Sequence, residues 1–268
     1  MAIDTFNRHE NKYRIDKDKI ADVWNEVAAH MEADVYNPGG EAYRVLNIYY
    51  DTHDNEFIRA SVAKPLYKEK LRLRAYGTPC GGSTVYVEIK KKVRGIVNKR
   101  RSGMTLHEAY EFLKDGEIPE IQPYMNEQVL NEIAYILRRK PLVPMLFLSY
   151  KRIAYSGERG LRVSFDTNIQ TRRYDLRLEY GAYGESLLNE DEWLMEIKTA
   201  ESVPLWMSGV LAKYKVYPTG FSKYGEEYER LLRRTAAVGA RRFFVITPDM
   251  AINPGAGADV VAGAVAGA

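Results

Sequence analysis

An α+β fold, built on an antiparallel sheet with one charged face, is predicted by three features of the chain. The first is the stretch from Leu66 to Arg101, where Lys70, Arg72, Arg74 and Tyr76 alternate with Leu71, Leu73 and Ala75 at the two-residue period of a strand. After a Thr-Pro-Cys-Gly-Gly turn, Tyr86, Glu88 and Lys90 alternate in the same way with Val85, Val87 and Ile89, which makes a hairpin. The second is the recurrence of this parity further on, with Arg162, Ser164 and Asp166 opposite Leu161, Val163 and Phe165, and Glu196 and Lys198 opposite Trp193, Met195 and Ile197. The third is a set of helices with one apolar stripe each, enough to cover the greasy side of such a sheet.

The polar face is the unusual one. A solvated sheet face mixes short polar residues with charges of both signs, whereas Lys70, Arg72 and Arg74 place like charges close together, where they repel unless an anion sits among them. The face is therefore expected to line a cavity that holds a polyanion, with the apolar face packed outward against helices.

The elements follow in order. Arg8 to Arg14 is a short, highly charged run, and Asp16 is placed to cap a helix from Lys17 to Glu32, where Ile20, Val23, Trp24, Val27 and Met31 share a face. A turn at Asn37 to Gly40 leads to a strand, Tyr43 to Asp51, and a short helix, Asp54 to Ser61, precedes the hairpin. Gly95 to Met104 reads as another strand. Thr105 to Lys114 and Tyr124 to Lys140 read as helices separated by breaks at Pro119 and Pro123. Pro144 to Tyr155, Leu161 to Asp166 and Trp193 to Thr199 are strands, and Pro204 to Lys213 is a helix. The last helix starts at Ser222, whose cap position leaves free amides and a positive dipole end beside Lys223, a ready anion site. From Ala236 the chain is rich in Ala, Gly and Val, so the expected division is one domain over 1–235 and a low-complexity tail over 236–268.

Composition narrows the class. The chain has 268 residues, 46% apolar and 28% charged, which is enough for one large domain with a buried core. Its net charge is only +3, from 39 Lys+Arg against 36 Asp+Glu, so any strong cation cluster is local. A single cysteine, Cys80, allows no internal disulfide and fits a reducing compartment. No apolar leader opens the sequence and no apolar run is long enough to span a bilayer, so a cytoplasmic location is expected.

The predicted inner face collects Lys12, Arg72, Arg74, Lys90, Lys99, Arg152, Arg162 and Lys198, with the carboxylates Glu10, Glu88 and Glu196 among them. Arginine forks match phosphate oxygens and lysines supply point charges. Carboxylates in such company either bind a divalent cation that bridges to phosphate, or simply pair with the neighbouring Lys and Arg. No side chain reads as a covalent nucleophile, and His9, His30, His53 and His107 have no metal-ligand spacing.

Taken in order, Arg8-x-Glu10-x-Lys12-Tyr13, Leu71-Arg72-Leu73-Arg74-x-Tyr76-Gly77, Glu88-x-Lys90, Gly95, Lys99-Arg100-Arg101, Tyr150-x-Arg152, Arg162-x-Ser164-x-Asp166, Glu196-x-Lys198 and Phe221-Ser222-Lys223-Tyr224 resemble the VTC domain. That is the polyphosphate polymerase domain of the vacuolar transporter chaperone complex, within the CYTH-like triphosphate tunnel metalloenzymes. The resemblance implies an eight-stranded antiparallel tunnel barrel with a polar interior, clad by helices. It implies that Lys12, Arg72, Arg74, Lys90, Lys99, Tyr150, Arg152, Arg162, Lys198, Ser222 and Lys223 hold the triphosphate or the growing chain. Arg72, Arg74, Lys90, Arg152 and Arg162 would take the ATP phosphates. Glu196 would bind manganese or magnesium, helped by Glu88 and Glu10.

The resemblance does not extend to the inositol-phosphate-sensing domain or the membrane helices of the eukaryotic complex. The partners it implies are ATP and polyphosphate. A metal-dependent triphosphatase would use the same tunnel with water as acceptor, and a polyphosphate-binding module would keep the cations without turnover. The hairpin cations lack the exposed aromatic platform of single-strand binders, Tyr76 and Tyr86 excepted, so no nucleic-acid partner is expected.

Overall fold

The computed structural model describes residues 9–34, 37, 40–63, 65–94 and 96–237. Arg8 and Gly95 of the motifs above, and the segment after Ala237, lie outside the described residues. The strands are β1 His9–Asp16, β2 Glu32–Ala33, β3 Tyr43–Asp51, β4 Tyr67–Tyr76, β5 Thr84–Val93, β6 Ile96–Thr105, β7 Val143–Ser156, β8 Arg162–Arg172, β9 Glu185–Ser186, β10 Glu192–Thr199 and β11 Pro218–Thr219. The helices are α1 Lys17–His30, α2 Glu56–Val62, α3 Leu106–Asp115, α4 Glu127–Arg139, α5 Leu205–Lys213 and α6 Lys223–Ala237.

All the strands join one antiparallel sheet in the order β11-β1-β10-β8-β7-β3-β4-β5-β6, with β2 added on β7 and β9 on β8. The eight-stranded closed barrel implied by the resemblance is thus corrected in two ways. The sheet has 11 strands, because the two-residue strands β2, β9 and β11 are added to eight long ones. Among the described residues β6 and β11 are unpaired edges, so hydrogen bonds do not close the ring. The sheet nevertheless curls on itself, because Lys90 on β5 reaches Glu10 on β1 at 3.7 Å although the two strands are far apart in the sheet order.

The curl is driven by what lies outside it. Leu71, Leu73, Val85, Val87 and Ile89 pack against Ala109, Phe112 and Leu113 of α3 and Leu130, Ile133 and Ala134 of α4. Tyr13, Ile15, Val163, Phe165, Met195 and Ile197 pack against Val23 and Val27 of α1 and Met207 and Val210 of α5. A buried leucine such as Leu73 in this layer stabilises by about 2–5 kcal/mol relative to alanine. A third cluster lies on the inner side, where Tyr49, Leu146, Leu148 and Leu194 meet Phe221, just before α6, and Tyr224 in its first turn.

Local chemistry fixes the helix ends. Thr105 and Glu108 form a reciprocal capping box on α3, and Gly116 ends it at φ 74°, in the left-handed region where glycine has no Cβ penalty. The Asp51 carboxylate accepts from the amides of Phe57 and Ile58 at 2.8 and 3.0 Å and so ties α2 to β3. Asp16 stands at the N-cap of α1, but its side chain makes no cap bond, and α1 ends at His30 because Glu32–Ala33 pairs with β7 instead. β8 runs on to Arg172, well past the expected end at Asp166, because β7 continues beside it. Among the described residues no helix is long and apolar enough to cross a membrane.

Candidate functional site

Directly opposed residues of an antiparallel ladder share a face, so the register defines the inner wall. Lys12 opposes Glu196 and Glu10 opposes Lys198, Glu196 opposes Ser164 and Lys198 opposes Arg162, and Asp166 opposes Arg152. On the other half Tyr49 opposes Arg72, Asn47 opposes Arg74, Arg72 opposes Glu88, and Lys70 and Lys99 both oppose Lys90. Every cation expected at the site therefore lies on one wall or at its end. Water still reaches this wall, since the Lys90 and Lys99 side chains keep 42% and 40% of their exposure.

Three carboxylate centres organise the wall. Glu88, only 1% exposed, is gripped by Arg72 Nη2 at 2.6 Å and Lys99 Nζ at 3.0 Å, with Arg74 Nη1 at 3.8 Å. Burial pushes its carboxyl up, but Arg72, Arg74 and Lys99 outweigh it and hold the group well below the usual range. The same burial presses Lys99 down to about 7, with Arg72 and Arg74 adding to the effect and Glu88 opposing it. Asn47 Oδ1 and the Tyr150 hydroxyl accept from Arg74 at 2.9 and 3.2 Å, which fixes that guanidinium toward the interior.

Glu10 and Glu196 form the second centre, diagonal neighbours across β1 and β10. Lys12 lies 3.1 Å from Glu10, and Lys198 pairs with Glu196. Burial raises both carboxyls and the Glu196 charge raises Glu10 further, yet Lys90, Lys198 and Lys12 hold Glu10 low and Lys198, Lys12, Arg152 and Lys223 hold Glu196 low. The expected trio of acidic ligands is thus split: Glu10 and Glu196 are together, whereas Glu88 sits in its own cage of cations. Among the described residues no group of three or more His, Cys, Asp or Glu converges.

Asp166 is the third centre. It is fully buried, accepts from Arg152 Nε and Nη2 at 2.7 and 2.8 Å, and accepts from Lys223 Nζ at 2.6 Å. The Tyr150 ring is flanked by the same two cations, 4.9 Å from Arg152 and 4.7 Å from Lys223. Ser222 Oγ accepts from the Gly225 amide at 3.3 Å and so caps α6, while Lys70 Nζ stands 3.5 Å from the same oxygen. Arg162 is at the rim, paired with Asp34 at 2.6 Å.

Three residues of this wall lie outside the expected site set. Tyr49 accepts from Arg72 Nη1 at 3.2 Å; burial raises its hydroxyl, but Arg72, Lys70 and Arg74 bring it down to about 8. Lys70, on the cationic strand face but not among the expected site residues, is lowered to about 8 by burial and by Lys90, Lys12 and Lys68, against Tyr49. Asn47 was readable by parity from Tyr43 to Asp51, where the alternate residues Asn47, Tyr49 and Asp51 are all polar or hydroxylated.

The family model of the VTC domain matches residues 7–232. The chain belongs to the VTC domain family. Solved structures similar to this VTC domain include a candidate adenylate cyclase of Bacillus halodurans, at 14% identity and TM-score 0.48 over 80% of this chain and 92% of the other. A candidate adenylyl cyclase of Hippeastrum, described as having a dominant triphosphatase activity, is 17% identical at TM-score 0.48 over 88% and 98% of the two chains. A protein of Pyrococcus horikoshii is 14% identical at TM-score 0.43 over 84% and 99%.

Proposed function

We propose that this VTC domain is a polyphosphate polymerase, which transfers the γ-phosphoryl group of ATP to the end of an inorganic polyphosphate chain. The observation that carries the reading is the inner wall itself. A continuous track runs from Arg162 at the rim, past Lys198, Lys90 and Lys12, to Arg72, Arg74, Arg152 and Lys223, and its cations outnumber the carboxylates among them. Desolvated like charges are unfavourable unless a polyanion is the intended occupant.

In this reading the Arg72 and Arg74 forks hold the γ-phosphoryl oxygens, and Lys12, Lys90 and Lys198 balance the remaining charge. The bond from the γ-phosphorus to the bridging oxygen breaks, ADP leaves with that oxygen, and a terminal phosphate oxygen of the chain forms the new bond in line. Positioning and electrostatics do this work without a covalent enzyme intermediate. A manganese or magnesium ion fits Glu10 and Glu196, since both are ionised, adjacent and flanked by phosphate-binding cations, and such an ion uses one or two carboxylates with phosphate oxygens and water. When bound, it supplies charge neutralisation on the phosphate oxygens.

A triphosphatase with water as acceptor is the second reading, favoured by one contact. Lys223, the residue placed to hold a product chain, is committed to Asp166 at 2.6 Å. Incubation with ATP and manganese, followed by gel analysis of products, tests the two. The polymerase gives ADP and polyphosphate in step, whereas release of orthophosphate alone overturns it in favour of the triphosphatase.

A further inference from the structure

Beyond Arg74 the inner wall changes character from charge to aromatic rings. Tyr76 is one pleat past Arg74 on β4, Tyr86 opposes Arg74 on β5, and Tyr43 lies one pleat past Val45, the residue opposing Tyr76. The Tyr43 and Tyr76 rings are 6.1 Å apart, and Tyr76 and Tyr86 meet edge to face at 5.9 Å. Arg101 lies over Tyr86, its guanidinium carbon 4.5 Å from the ring centroid.

Tyr43 packs against the inner apolar cluster, but the other two rings fill no core. Tyr76 and Tyr86 belong to none of the three apolar clusters, and Tyr76 keeps 40% of its exposure at the open end of the wall. Opposite Tyr86 on β6 stands Gly103, which puts no side chain across the ring. A linear phosphate chain has no use for a π surface, whereas a nucleobase does, and an arginine stacked on an aromatic ring extends that surface.

We propose that Tyr76 and Tyr86, with Arg101 stacked on the latter, are the base platform of the channel, on which the purine of a nucleoside triphosphate stacks while its phosphates run inward. This rests on the triphosphate reading above and adds to it the residues that distinguish a nucleotide from an inorganic triphosphate. One pleat, about 7 Å along the strand, separates Tyr76 from Arg74, and a second separates Arg74 from Arg72. The platform thus orients the donor with its γ-phosphoryl toward Arg72.

The test is calorimetric titration of the full chain with ATP and, separately, with inorganic tripolyphosphate, each with magnesium. The proteins compared are wild type, the Tyr76→Ala/Tyr86→Ala double variant and the corresponding double Phe variant, each checked for native thermal unfolding. Alanine is expected to weaken ATP about five- to a hundredfold and tripolyphosphate by less than about twofold, with Phe restoring ATP binding. Equal losses for both ligands, or no loss for ATP, overturn the platform and leave the phosphate channel standing. Wild type that binds tripolyphosphate but not ATP also overturns the platform alone, and wild type that binds neither overturns the underlying reading with it.

Discussion

Lys223 Nζ lies 2.6 Å from the carboxylate of Asp166, which is fully buried and already accepts from Arg152 Nε and Nη2. One anion therefore pins the first turn of α6 to β7 and β8, so this helix is tethered through its own candidate phosphate ligand.

That tether gives Lys223→Ala two separable effects. Removing one partner of a buried ion pair is expected to cost about 3–5 kcal/mol of stability, reduced here because Arg152 still compensates Asp166. Loss of one charge-assisted phosphate contact should lower chain synthesis roughly tenfold to a hundredfold, about 1.5–3 kcal/mol, while tripolyphosphate binding falls much less. Urea unfolding and polyphosphate yield, measured on the same preparation, read the two effects. If wild type makes only orthophosphate and the variant makes it at the same rate, the chain-holding role of Lys223 is excluded.

Glu88→Gln is expected to act in opposite directions on the free and the bound protein. It removes the anion shared by Arg72, Arg74 and Lys99, so the empty protein should melt earlier. The same three cations then become available to a phosphate, so saturating tripolyphosphate should raise the melting temperature further than it does in wild type. A smaller ligand-induced shift in the variant would show that Glu88 helps to bind the triphosphate rather than competing with it.

Glu196→Gln should separate binding from turnover. The cations around it remain, so tripolyphosphate affinity is expected to stay within a few-fold of wild type. Manganese-dependent turnover is expected to fall to background, and Glu10→Gln should give the same pattern because the two carboxylates adjoin. Undiminished turnover in both variants would move the metal away from this pair.

The depressed lysines predict proton uptake on binding. Lys99 falls from an ordinary 10.5 to about 7 and Lys70 to about 8 in the free protein, so above those values both are largely neutral. A bound polyanion favours their charged forms and raises both values again. Binding between about pH 7 and 10 should therefore take up protons, and affinity should decline as pH rises through that window. For the free fold the sign is reversed. The unfolded chain binds these protons first, so the two lysines disfavour folding below pH 7, and this effect fades toward pH 10.5. Titration at pH 8 in buffers of different ionisation enthalpy measures the uptake directly; an identical heat in all of them would rule it out.

What the sequence determined alone was the division of each strand into an outward apolar and an inward charged face, because the two-residue period is a local property of the backbone. Leu71, Leu73, Val87 and Ile197 could be placed against helices, and Arg72, Arg74 and Glu88 away from them, without knowing how any strand paired. The same logic failed at β1, whose residues from His9 to Asp16 looked merely charged, since only Tyr13 and Ile15 of that run are buried outward. Which inward residues meet was decided by tertiary structure. Strand order and curl bring Glu10 beside Glu196 and set Glu88 among three cations, carry Lys223 to Asp166, and gather Tyr43, Tyr76 and Tyr86 from three strands at one mouth. Parity fixes the face a side chain points to, but the partners it finds across the channel depend on the stagger and curvature of the whole sheet, which no single segment encodes.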